Sequence, residues 1–257
     1  MDQIHSTAVV SKKAKIADNI TVGPYAVIED DVEIGNDCNI GPHVVIYNGA
    51  RIGNKVTIHQ GASISHVPQD LKFENEETYL HIDDGTVVHE FATVHRGTKE
   101  TGRTLVGKNC LLMAYSHVAH DNVIGDNCIL ANAVQLAGHV HIENFVILGG
   151  GVLVHQFSSI GQHSMVGGGY RIPQDVPPFT LMAGEPLRYS GLNVVGLRRR
   201  GFSNEDIQAL KKAYSYIYDK SLNVSQAIVK VKSELNNKYV DAVVEFIEKS
   251  KRGIVGK

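Results

Sequence analysis

The residues best suited to chemistry lie in a short stretch between Ser116 and Phe157. This stretch contains the segments SHVAHDN, LAGHVH and VHQF, which supply histidines, an aspartate and a glycine. An imidazole can remove a proton from a hydroxyl group at neutral pH, and a neighbouring carboxylate can orient it and stabilise its charged form. The backbone N–H of a glycine is not shielded by a side chain and can stabilise an oxyanion. The three segments therefore suit attack by a hydroxyl group on an acyl carbon.

The same stretch offers no covalent nucleophile. No serine or cysteine lies in the sequence context of a nucleophile elbow. Direct attack by the hydroxyl of an acceptor, without a covalent enzyme intermediate, is the simpler hypothesis.

A six-residue repeat must position these residues. Steps of six from Ile4 to Ile172 land on Ile, Val or Leu at 26 of 29 positions, which chance does not produce. The residue two positions before each aliphatic one is mostly small, and Cys38, Cys110 and Cys128 all occupy that phase. Because alternate side chains of a strand point to opposite faces, both phases face inward. The pattern predicts a coil of short parallel strands around a narrow interior.

Glycine often follows the aliphatic residue, and we expect it to form a tight corner that requires the free φ of glycine. The glycines in this position are Gly23, Gly35, Gly41, Gly53, Gly107, Gly125, Gly161 and Gly167.

The repeat resembles that of the hexapeptide-repeat acyltransferases, which implies an all-β, left-handed parallel β-helix with three hexapeptides in each triangular turn. Residues 18 apart then stack on one wall, about 4.8 Å from each other. On that spacing His120 lies beneath Gly138 and Gly138 beneath Gln156, while Asp121 lies beneath His139. The imidazoles, the carboxylate and the glycine backbone are therefore predicted to converge on one outer patch.

The aliphatic phase fails at Asp70, Glu76 and Glu100. We therefore expect two external loops, near residues 65–80 and 97–104, after which the chain returns to the coil in register. Loops on a rigid scaffold commonly carry function.

A helical segment follows the coil. Ser203 and Asp206 have the spacing of a capping box, and helical periodicity begins after them. Two further helices are predicted around 224–235 and 239–249. The predicted domains are a coil over residues 1–187 and a small α-helical C-terminal domain over residues 188–257.

Composition narrows the class of protein. The 257 residues include no apolar run of about 18, and the amino terminus has no basic segment leading into an apolar one. We expect a cytoplasmic protein without a transmembrane segment, and the odd number of cysteines favours reduced thiols. Residues 188–257 carry 14 Lys or Arg against 7 Asp or Glu, which favours an acidic partner or a phosphate-bearing ligand over nucleic acid.

The remaining histidines are expected to be unrelated to the site. His95 is predicted to be structural. Scattered surface positions are predicted for His5, His43, His59, His66, His81, His89, His141 and His163.

A series of motifs closely resembles the family of UDP-N-acetylglucosamine O-acyltransferases, in the same order over essentially the full chain. The motifs are IGPHVVI, QDLKF, VHRGT, AHDN, LANA, LAGHV, HQF, QDVPP and GLRRRGF. The resemblance implies transfer of an (R)-3-hydroxyacyl chain from acyl carrier protein to the glucosamine 3-hydroxyl of UDP-N-acetylglucosamine, the first step of lipid A biosynthesis. It also implies a homotrimer with active sites between neighbouring prisms, and neither a cofactor nor a metal.

The resemblance also implies residue roles. His120 would be the general base, Asp121 its support, and the Gly138 N–H the oxyanion donor. Contacts to the sugar nucleotide or the acyl group would come from Asp70, Lys72, His117, His139, His155 and Gln156. Nucleotide-binding positions in the helical segment would be Asn193, Arg199 and Arg200.

Two positions bear on specificity. Gly168 matches the position that limits acyl length in the family, and a glycine there predicts a chain of about 14 carbons or more. The bulky Tyr170 and Arg171 beside it are expected to reshape the groove. Val195 stands where the family often has a glutamate near the uracil, which makes that base contact doubtful.

Three other readings remain. A sibling enzyme acylates the amino group of an acylated UDP-glucosamine, but it normally carries an extra amino-terminal domain, whereas here the coil begins at Ile4. A zinc hydratase of the same fold binds metal through three histidines between subunits. A purely structural or ligand-binding β-helix would not need His120.

Overall fold

A prism of parallel strands makes up most of the computed structural model, which describes residues 3–256. Residues 1, 2 and 257, which the predicted domains include, lie outside the described part. In the coil each strand pairs with the strand three positions later in the chain, so the strands form three sheets that are the walls of the prism.

The first wall has eleven strands. They are β1 (Gln3–Ile4), β4 (Thr21–Val22), β7 (Asn39–Ile40), β10 (Thr57–Ile58), β13 (Val87–Val88), β16 (Leu111–Leu112), β19 (Ile129–Leu130), β22 (Ile147–Leu148), β25 (Met165–Val166), β27 (Thr180–Ala183) and β28 (Arg188–Leu192). All pairs are parallel except β27 with β28.

The second wall has nine strands, all parallel. They are β2 (Val9–Val10), β5 (Val27–Ile28), β8 (Val45–Ile46), β11 (Ser63–His66), β14 (Thr93–His95), β17 (His117–Val118), β20 (Gln135–Leu136), β23 (Leu153–Val154) and β26 (Arg171–Ile172).

The third wall has eight strands, again parallel. They are β3 (Lys15–Ile16), β6 (Val32–Ile34), β9 (Ala50–Ile52), β12 (Tyr79–Ile82), β15 (Arg103–Val106), β18 (Val123–Ile124), β21 (His141–Ile142) and β24 (Ser159–Ile160).

The interior of the prism holds the two phases that the sequence predicts to face inward. Ile46 and Leu136 from the aliphatic phase are fully buried, and so are the three cysteines of the small phase. Stacking of one aliphatic side chain on the next gives a continuous hydrophobic core along the prism. The predicted inward phases are confirmed.

The register confirms the 18-residue spacing around the histidine-rich stretch. His117 pairs with Gln135, and Gln135 pairs with Leu153. The chain leaves the coil twice, between β11 and β12 and between β14 and β15. We call residues 67–78 the first loop and residues 96–102 the second loop. After both excursions the strands resume pairing in register, as β12 with β9 and β15 with β12.

The predicted reason for the corner glycines is wrong. Gly35 and Gly53 do not have a positive φ; the left-handed backbone occurs two residues later, at Asp37 (φ 59°) and Lys55 (φ 57°). Glycine is instead required by close approach of the neighbouring coil, because a Cβ on Gly35 would lie 2.7 Å from the backbone of Gly53. The spacing between coils, rather than the corner dihedral, selects glycine here.

In the described part of the chain, four helices follow the coil. They are α1 (Val194–Arg199), α2 (Asn204–Ile217), α3 (Val224–Glu234) and α4 (Lys238–Lys249). Ser203 caps α2 as predicted, since its side chain accepts a hydrogen bond from the N–H of Asp206. The hairpin of β27 and β28 and the short helix α1 were not predicted from the sequence. The predicted domain boundary between residues 187 and 188 falls within that hairpin.

The helices have a hydrophobic core of their own, built around Leu210, Tyr214 and Val243. Phe179 and Leu192 from the end of the coil extend into it. Among the residues that the structure describes, no helix is both long and apolar enough to span a membrane.

The surface prediction is wrong for His163. This residue lies at a corner of the prism, but its ring is stacked between Phe145 and Phe179 and contacts the edge of Phe202. The phase of the repeat describes only the coil, whereas His163 is buried by the chain that follows it. Exposed positions are confirmed for His5, His43 and His141, and His95 is buried as expected of a structural residue.

Candidate active site

The second wall carries a column of outward side chains that leads to the candidate site. Thr93, His117, Gln135, Leu153 and Arg171 pair in register from one coil to the next. Because strand neighbours in a sheet lie about 4.8 Å apart, the column forms one continuous strip of surface.

The corner between the second and third walls holds the predicted catalytic residues. His120 and Asp121 follow β17, and Gly138 and His139 follow β20 one coil further on. Asp121 and His139 both have φ of 60°, the left-handed conformation that recurs at these corners. The His139 N–H donates to the carbonyl of His120, which ties the two coils together at 3.1 Å. The structure therefore brings the three predicted catalytic residues to one corner.

His120 and Asp121 form a hydrogen-bonded pair. His120 Nδ1 lies 2.7 Å from Asp121 Oδ2, and the Asp121 side chain has no exposed surface. An ionised carboxylate can only accept hydrogen bonds, so the proton lies on Nδ1 and the lone pair lies on Nε2 of the neutral ring. Nε2 is therefore the atom that can remove a proton from a substrate.

The pair has shifted pKa values that suit this role. The hydrogen bond and the charge of Asp121 raise the pKa of His120 above its usual range, against the opposing effect of burial. Burial alone would raise the pKa of Asp121, but hydrogen bonds from His120, Thr101 and Thr98 outweigh burial and hold that pKa well below its usual range. Asp121 is thus ionised at neutral pH, and it strengthens His120 as a base.

Gly138 lies directly against the His120 ring. A Cβ at position 138 would be 2.7 Å from His120 Cε1 and 2.9 Å from Nε2, so only glycine leaves the ring in place. Within residues 3–256 no hydrogen bond from the Gly138 N–H is found, whereas its carbonyl accepts from Phe157 N–H. A free N–H beside the base is the geometry required of an oxyanion donor.

The other histidines at this corner pack around the pair. The His139 ring meets His120 edge-on, with 5.1 Å between centroids, and stacks on Phe157. His117 Nδ1 and Thr93 Oγ1 form a hydrogen bond of 2.6 Å. Burial and the nearby charge of His120 lower the pKa of His117, whereas the pKa of His120 is raised, so His120 binds a proton more readily than His117.

His120, Asp121 and His139 also have the spacing of a metal site, since their ligand atoms lie within 4.8 Å of one another. The donor set argues against that use. Oδ1 of Asp121 accepts from the Thr98 N–H and the Thr101 hydroxyl, while Oδ2 accepts from the Thr98 hydroxyl and His120 Nδ1. A carboxylate has about four acceptor positions, and all four are occupied by donors. The arrangement fits proton transfer better than metal binding.

A groove of about 400 Å³ runs along the second wall beside the pair. His117, Gln135 and Leu153 line it from the column, and Gly138 and Gln156 line it from the corner. Gln69 of the first loop closes one side. The groove combines polar groups near His120 with the exposed apolar side chain of Leu153, so it can take a ligand with both characters.

The remaining predicted residues of the coil lie near this groove. Asp70 of the first loop is close enough for its charge to raise the pKa of His120, and its Oδ1 accepts from the Lys72 N–H. Lys72 has an exposed side chain. His155 is exposed one coil beyond Ala137, with Nδ1 2.9 Å from the Gln156 carbonyl.

Gly168 lies at the opposite edge of the second wall, at the corner before β26. A Cβ there would be 3.0 Å from the carbonyl oxygen of Gly150, so a side chain would have little room. Arg171, rather than Gly168, continues the outward column directly above Leu153. Arg171 was expected to reshape the groove, and its place after Leu153 in the column is where it would do so.

The three predicted nucleotide-binding residues lie at a different corner, between the third and first walls. Asn193 is buried and caps α1; its amide donates to the His163 carbonyl at 3.0 Å and its oxygen accepts from the Gly196 N–H. Arg200 lies over the Phe145 ring, 5.0 Å from its centroid, and Arg199 is exposed. Within one chain these residues are not brought to His120.

Sequence reasoning missed several contributors. The most direct are Thr98 and Thr101 of the second loop, which donate to Asp121. The signal was the failure of the repeat at Glu100, which identified a loop but did not show which coil it covers. Gln135 and Leu153 were missed because outward positions of the coil have no type preference, and Gln69 was missed because it lies in the first loop, outside the repeat.

Comparison with known proteins adds independent information. A family model described as UDP-N-acetylglucosamine O-acyltransferase, domain 2, matches residues 175–255. A model of bacterial transferase hexapeptide repeats matches residues 13–48, 31–66 and 103–138. The fold is the left-handed parallel β-helix followed by a short helical region, which confirms the predicted fold class.

Relatives match over nearly the whole chain. Acyl-[acyl-carrier-protein]–UDP-N-acetylglucosamine O-acyltransferases of Herminiimonas arsenicoxydans and Pseudomonas putida are each 47% identical to this chain and match 99% of it. The match covers 100% of the first relative and 99% of the second. Among solved structures, the UDP-N-acetylglucosamine acyltransferase of Bacteroides fragilis has a TM-score of 0.97 at 43% identity, covering 98% of this chain and 100% of its own. The corresponding protein of Acinetobacter baumannii has a TM-score of 0.95 at 41% identity, covering 98% and 99%.

Proposed function

Because this chain belongs to the family of acyl-[acyl-carrier-protein]–UDP-N-acetylglucosamine O-acyltransferases, we propose that it acylates the glucosamine 3-hydroxyl of UDP-N-acetylglucosamine. The donor is an (R)-3-hydroxyacyl chain carried as a thioester on acyl carrier protein, and the reaction begins lipid A biosynthesis. The single observation that carries the mechanism is the His120–Asp121 pair held against the free N–H of Gly138.

The reaction needs no covalent enzyme intermediate. His120 Nε2 removes the proton of the 3-hydroxyl as its oxygen attacks the thioester carbonyl, and Asp121 stabilises the imidazolium that forms. The negative charge that develops on the carbonyl oxygen is stabilised by the Gly138 N–H. When the tetrahedral intermediate collapses, the carbon–sulfur bond breaks, and the imidazolium returns its proton to the departing thiolate of the carrier protein.

The substrates divide the groove between them. His117 and Gln156, which line the groove, and His139, which packs against His120, suit the sugar nucleotide together with Asp70 and Lys72 of the first loop. The apolar stretch around Leu153 suits the acyl chain. His155 lies beside Gln156 at the same end, where the two substrates would meet.

We assign the nucleotide contacts of Asn193, Arg199 and Arg200 to a neighbouring subunit of a homotrimer. One chain holds His120 and these three residues at different corners, so a site that contains both sets requires a second copy. The guanidinium groups of Arg199 and Arg200 suit the diphosphate of the nucleotide. The Asn193 side chain caps α1, so Asn193 contributes to the nucleotide site by holding that helix in place. Val195 is exposed on α1 and provides no carboxylate for the uracil.

Acyl length depends on the far end of the groove. Glycine at position 168 supports a chain of about 14 carbons or more, provided that Arg171 turns away from the column above Leu153. Arg171→Ala should lengthen the preferred acyl chain in the carrier-protein panel, and an unchanged preference would show that this side chain does not limit the groove.

The alternatives are less well supported. A zinc hydratase of this fold binds metal through histidines, but the relatives that match nearly the whole of this chain are named as acyltransferases. The relatives described above are named as O-acyltransferases, and no feature of the groove favours an amino acceptor.

Mass spectrometry tests the proposal directly. The protein is incubated with UDP-N-acetylglucosamine and a panel of 3-hydroxyacyl carrier proteins, and the product is identified by its mass and by the position of its ester. His120→Ala should reduce the rate by about 10³-fold or more. His141→Ala, which removes an exposed histidine of the third wall, is the matched control and should keep the wild-type rate. Absence of a 3-O-acyl product with every donor would overturn the proposal.

A further inference from the structure

The second loop contacts the catalytic carboxylate more closely than the coil does. The Thr98 N–H donates to Asp121 Oδ1 at 3.0 Å, and the Thr98 hydroxyl donates to Oδ2 at 2.8 Å. The Thr101 hydroxyl donates to Oδ1. From the coil, Thr104 accepts the N–H of Asp121 but does not reach the carboxylate. The loop therefore supplies three of the four hydrogen bonds that the Asp121 side chain accepts.

We propose that Thr98 is a positioning residue of the catalytic site, which holds Asp121 Oδ2 toward His120 and shares its negative charge. This inference rests on the proposed function, because it assigns a role relative to the base of that reaction. The Thr98 hydroxyl and His120 Nδ1 share the same oxygen of Asp121. The hydroxyl thereby fixes where the imidazole points and limits how strongly the carboxylate attracts its proton.

The corner needs such a support. The side chain of Asp121 is fully buried on a left-handed backbone, and Thr98 is itself buried. A buried charge is costly unless donors surround it, and rotation of an unsupported carboxylate would break its bond to His120. The excursion of the chain at residues 96–102 brings those donors to a coil that lacks them.

The loop is held firmly enough to act as a support. Its ends bond to β12, with the Gly97 N–H donating to the Tyr79 carbonyl at 3.1 Å and the Tyr79 N–H donating to the Gly102 carbonyl at 2.9 Å. At its tip the Lys99 N–H donates to Glu76 Oε1 at 3.0 Å, which links it to the first loop. The hydroxyl of Thr98 is therefore fixed relative to Asp121.

Removal of the Thr98 hydroxyl should raise the pKa of His120. With one donor fewer on Oδ2, the carboxylate attracts the imidazolium more strongly, so the pKa of His120 rises. The other groups that face His120 stay in place in such a variant. They are Asp70 and Glu100 from the two loops, His139 from the next coil, and His95 and His117 from the second wall.

The experiment compares Thr98→Val, which has nearly the shape of threonine but no hydroxyl, with Thr98→Ser, which keeps the hydroxyl. Thr98→Val should lower kcat about tenfold with KM for the sugar nucleotide within about twofold, and Thr98→Ser should restore most of the loss. The control is Thr86→Val. Thr86 is equally buried and its hydroxyl donates to the Gly107 carbonyl at 2.7 Å, but it does not contact Asp121. This control should lower the unfolding temperature and leave kcat unchanged.

A second measurement does not depend on turnover. The pKa of His120 is followed by NMR of the histidine rings in the intact protein, with His120→Asn used to assign its signal. Thr98→Val should raise that pKa by about half a unit, and neither Thr98→Ser nor Thr86→Val should move it. An unchanged His120 pKa in Thr98→Val, or an equal loss of kcat in Thr86→Val, would overturn the inference. If the wild-type protein makes no ester while Thr98→Val still raises the pKa of His120, the proposed function is overturned and the structural role of Thr98 is kept.

Discussion

The hydrogen bond between His120 and Asp121 sets the pH range in which the imidazole can act as a base. Its neutral form is needed to take a proton, and Asp121 raises the pKa of His120 above 6.5. As the pH falls through that pKa the base becomes protonated, so kcat/KM should fall on the acid side at a pH above 6.5. Asp121→Asn removes the charge that raises the pKa. It should move this acid limb to lower pH while kcat falls by about 10²-fold, measured between about pH 5 and pH 9. An acid limb that stays in place would show that another group controls it.

Gly138 offers a second prediction for a single residue. The methyl group of Gly138→Ala would lie 2.7 Å from His120 Cε1 and must push the imidazole away from the groove. We expect kcat to fall by about 10²-fold, because both the base and the oxyanion donor lose their alignment, with little change in stability. Gly150→Ala is the control at another corner, between the first and second walls. Its Cβ would lie 3.3 Å from the Asn132 carbonyl, and it should keep most of the activity. Steady-state kinetics of the two variants, with thermal unfolding as a check, decide between these outcomes.

Two different requirements act at the corners of the coil. One position must leave room for the neighbouring coil, and another must adopt a left-handed backbone. Gly53 has no positive φ but would place a Cβ 2.8 Å from the backbone N of Asp84, whereas Lys55 has φ of 57° in an exposed corner. Gly53→Ala should therefore destabilise the protein by about 1–3 kcal/mol through overpacking. Lys55→Gly should be close to neutral, because glycine accepts the left-handed backbone without strain. Denaturant unfolding of both variants measures the difference. Equal losses would mean that corner dihedrals, not coil spacing, limit the choice of residue.

The elements of the coil were predictable because each hexapeptide repeats the same two demands, one large and one small inward side chain. Ile46 occupies a large inward position and Cys110 a small one, and both are buried as predicted. The burial of His163 was not predictable from phase, since it depends on α1 and Phe202 packing over its corner. The hairpin of β27 and β28 was missed for a similar reason, because a single antiparallel return carries no repeat.

The candidate site divides in the same way. The stacking of His120 beneath Gly138 and of Asp121 beneath His139 followed from the six-residue repeat together with the three-hexapeptide turn that the resemblance implied. The contacts of Thr98 with Asp121 could not follow from it, because the second loop departs from the repeat and its path depends on bonds to β12 and the first loop. The repeat predicts which residues stack on a wall of the prism, but it does not predict the contacts of a loop that folds over the wall.

For the whole molecule, the separation of His120 from Arg199 predicts that neighbouring subunits share each site. His120→Ala and Arg199→Glu should each be inactive alone, the second because it repels the diphosphate. In each mixed trimer about one site in three should pair an intact His120 face with an intact Arg199 of the neighbour. Co-expression with two affinity tags, followed by an activity assay, measures the recovery.

A second mixture serves as the control for shared sites. His120→Ala and Asp121→Asn alter the same corner of one chain. Combining them should not create an intact site, and the activity should stay at the level of the components. If neither mixture recovers activity and the protein sediments as a monomer, the arginines do not serve a neighbouring site.

The pairing of one coil with the next also limits how this protein can change over evolutionary time. Val118 pairs with Leu136. An insertion within the coil that is not a multiple of six residues would disturb the inward aliphatic phase beyond it, and one that is not a whole turn would move the later residues to other walls. The first and second loops are exempt, because the chain leaves the walls there and rejoins them in register. Both loops border the His120 corner, so insertions and deletions that keep Thr98 and Thr101 against Asp121 should be tolerated beside the groove and selected against elsewhere in the coil. Descendants of this chain can therefore alter their substrates by exchanging loops while inheriting the prism intact.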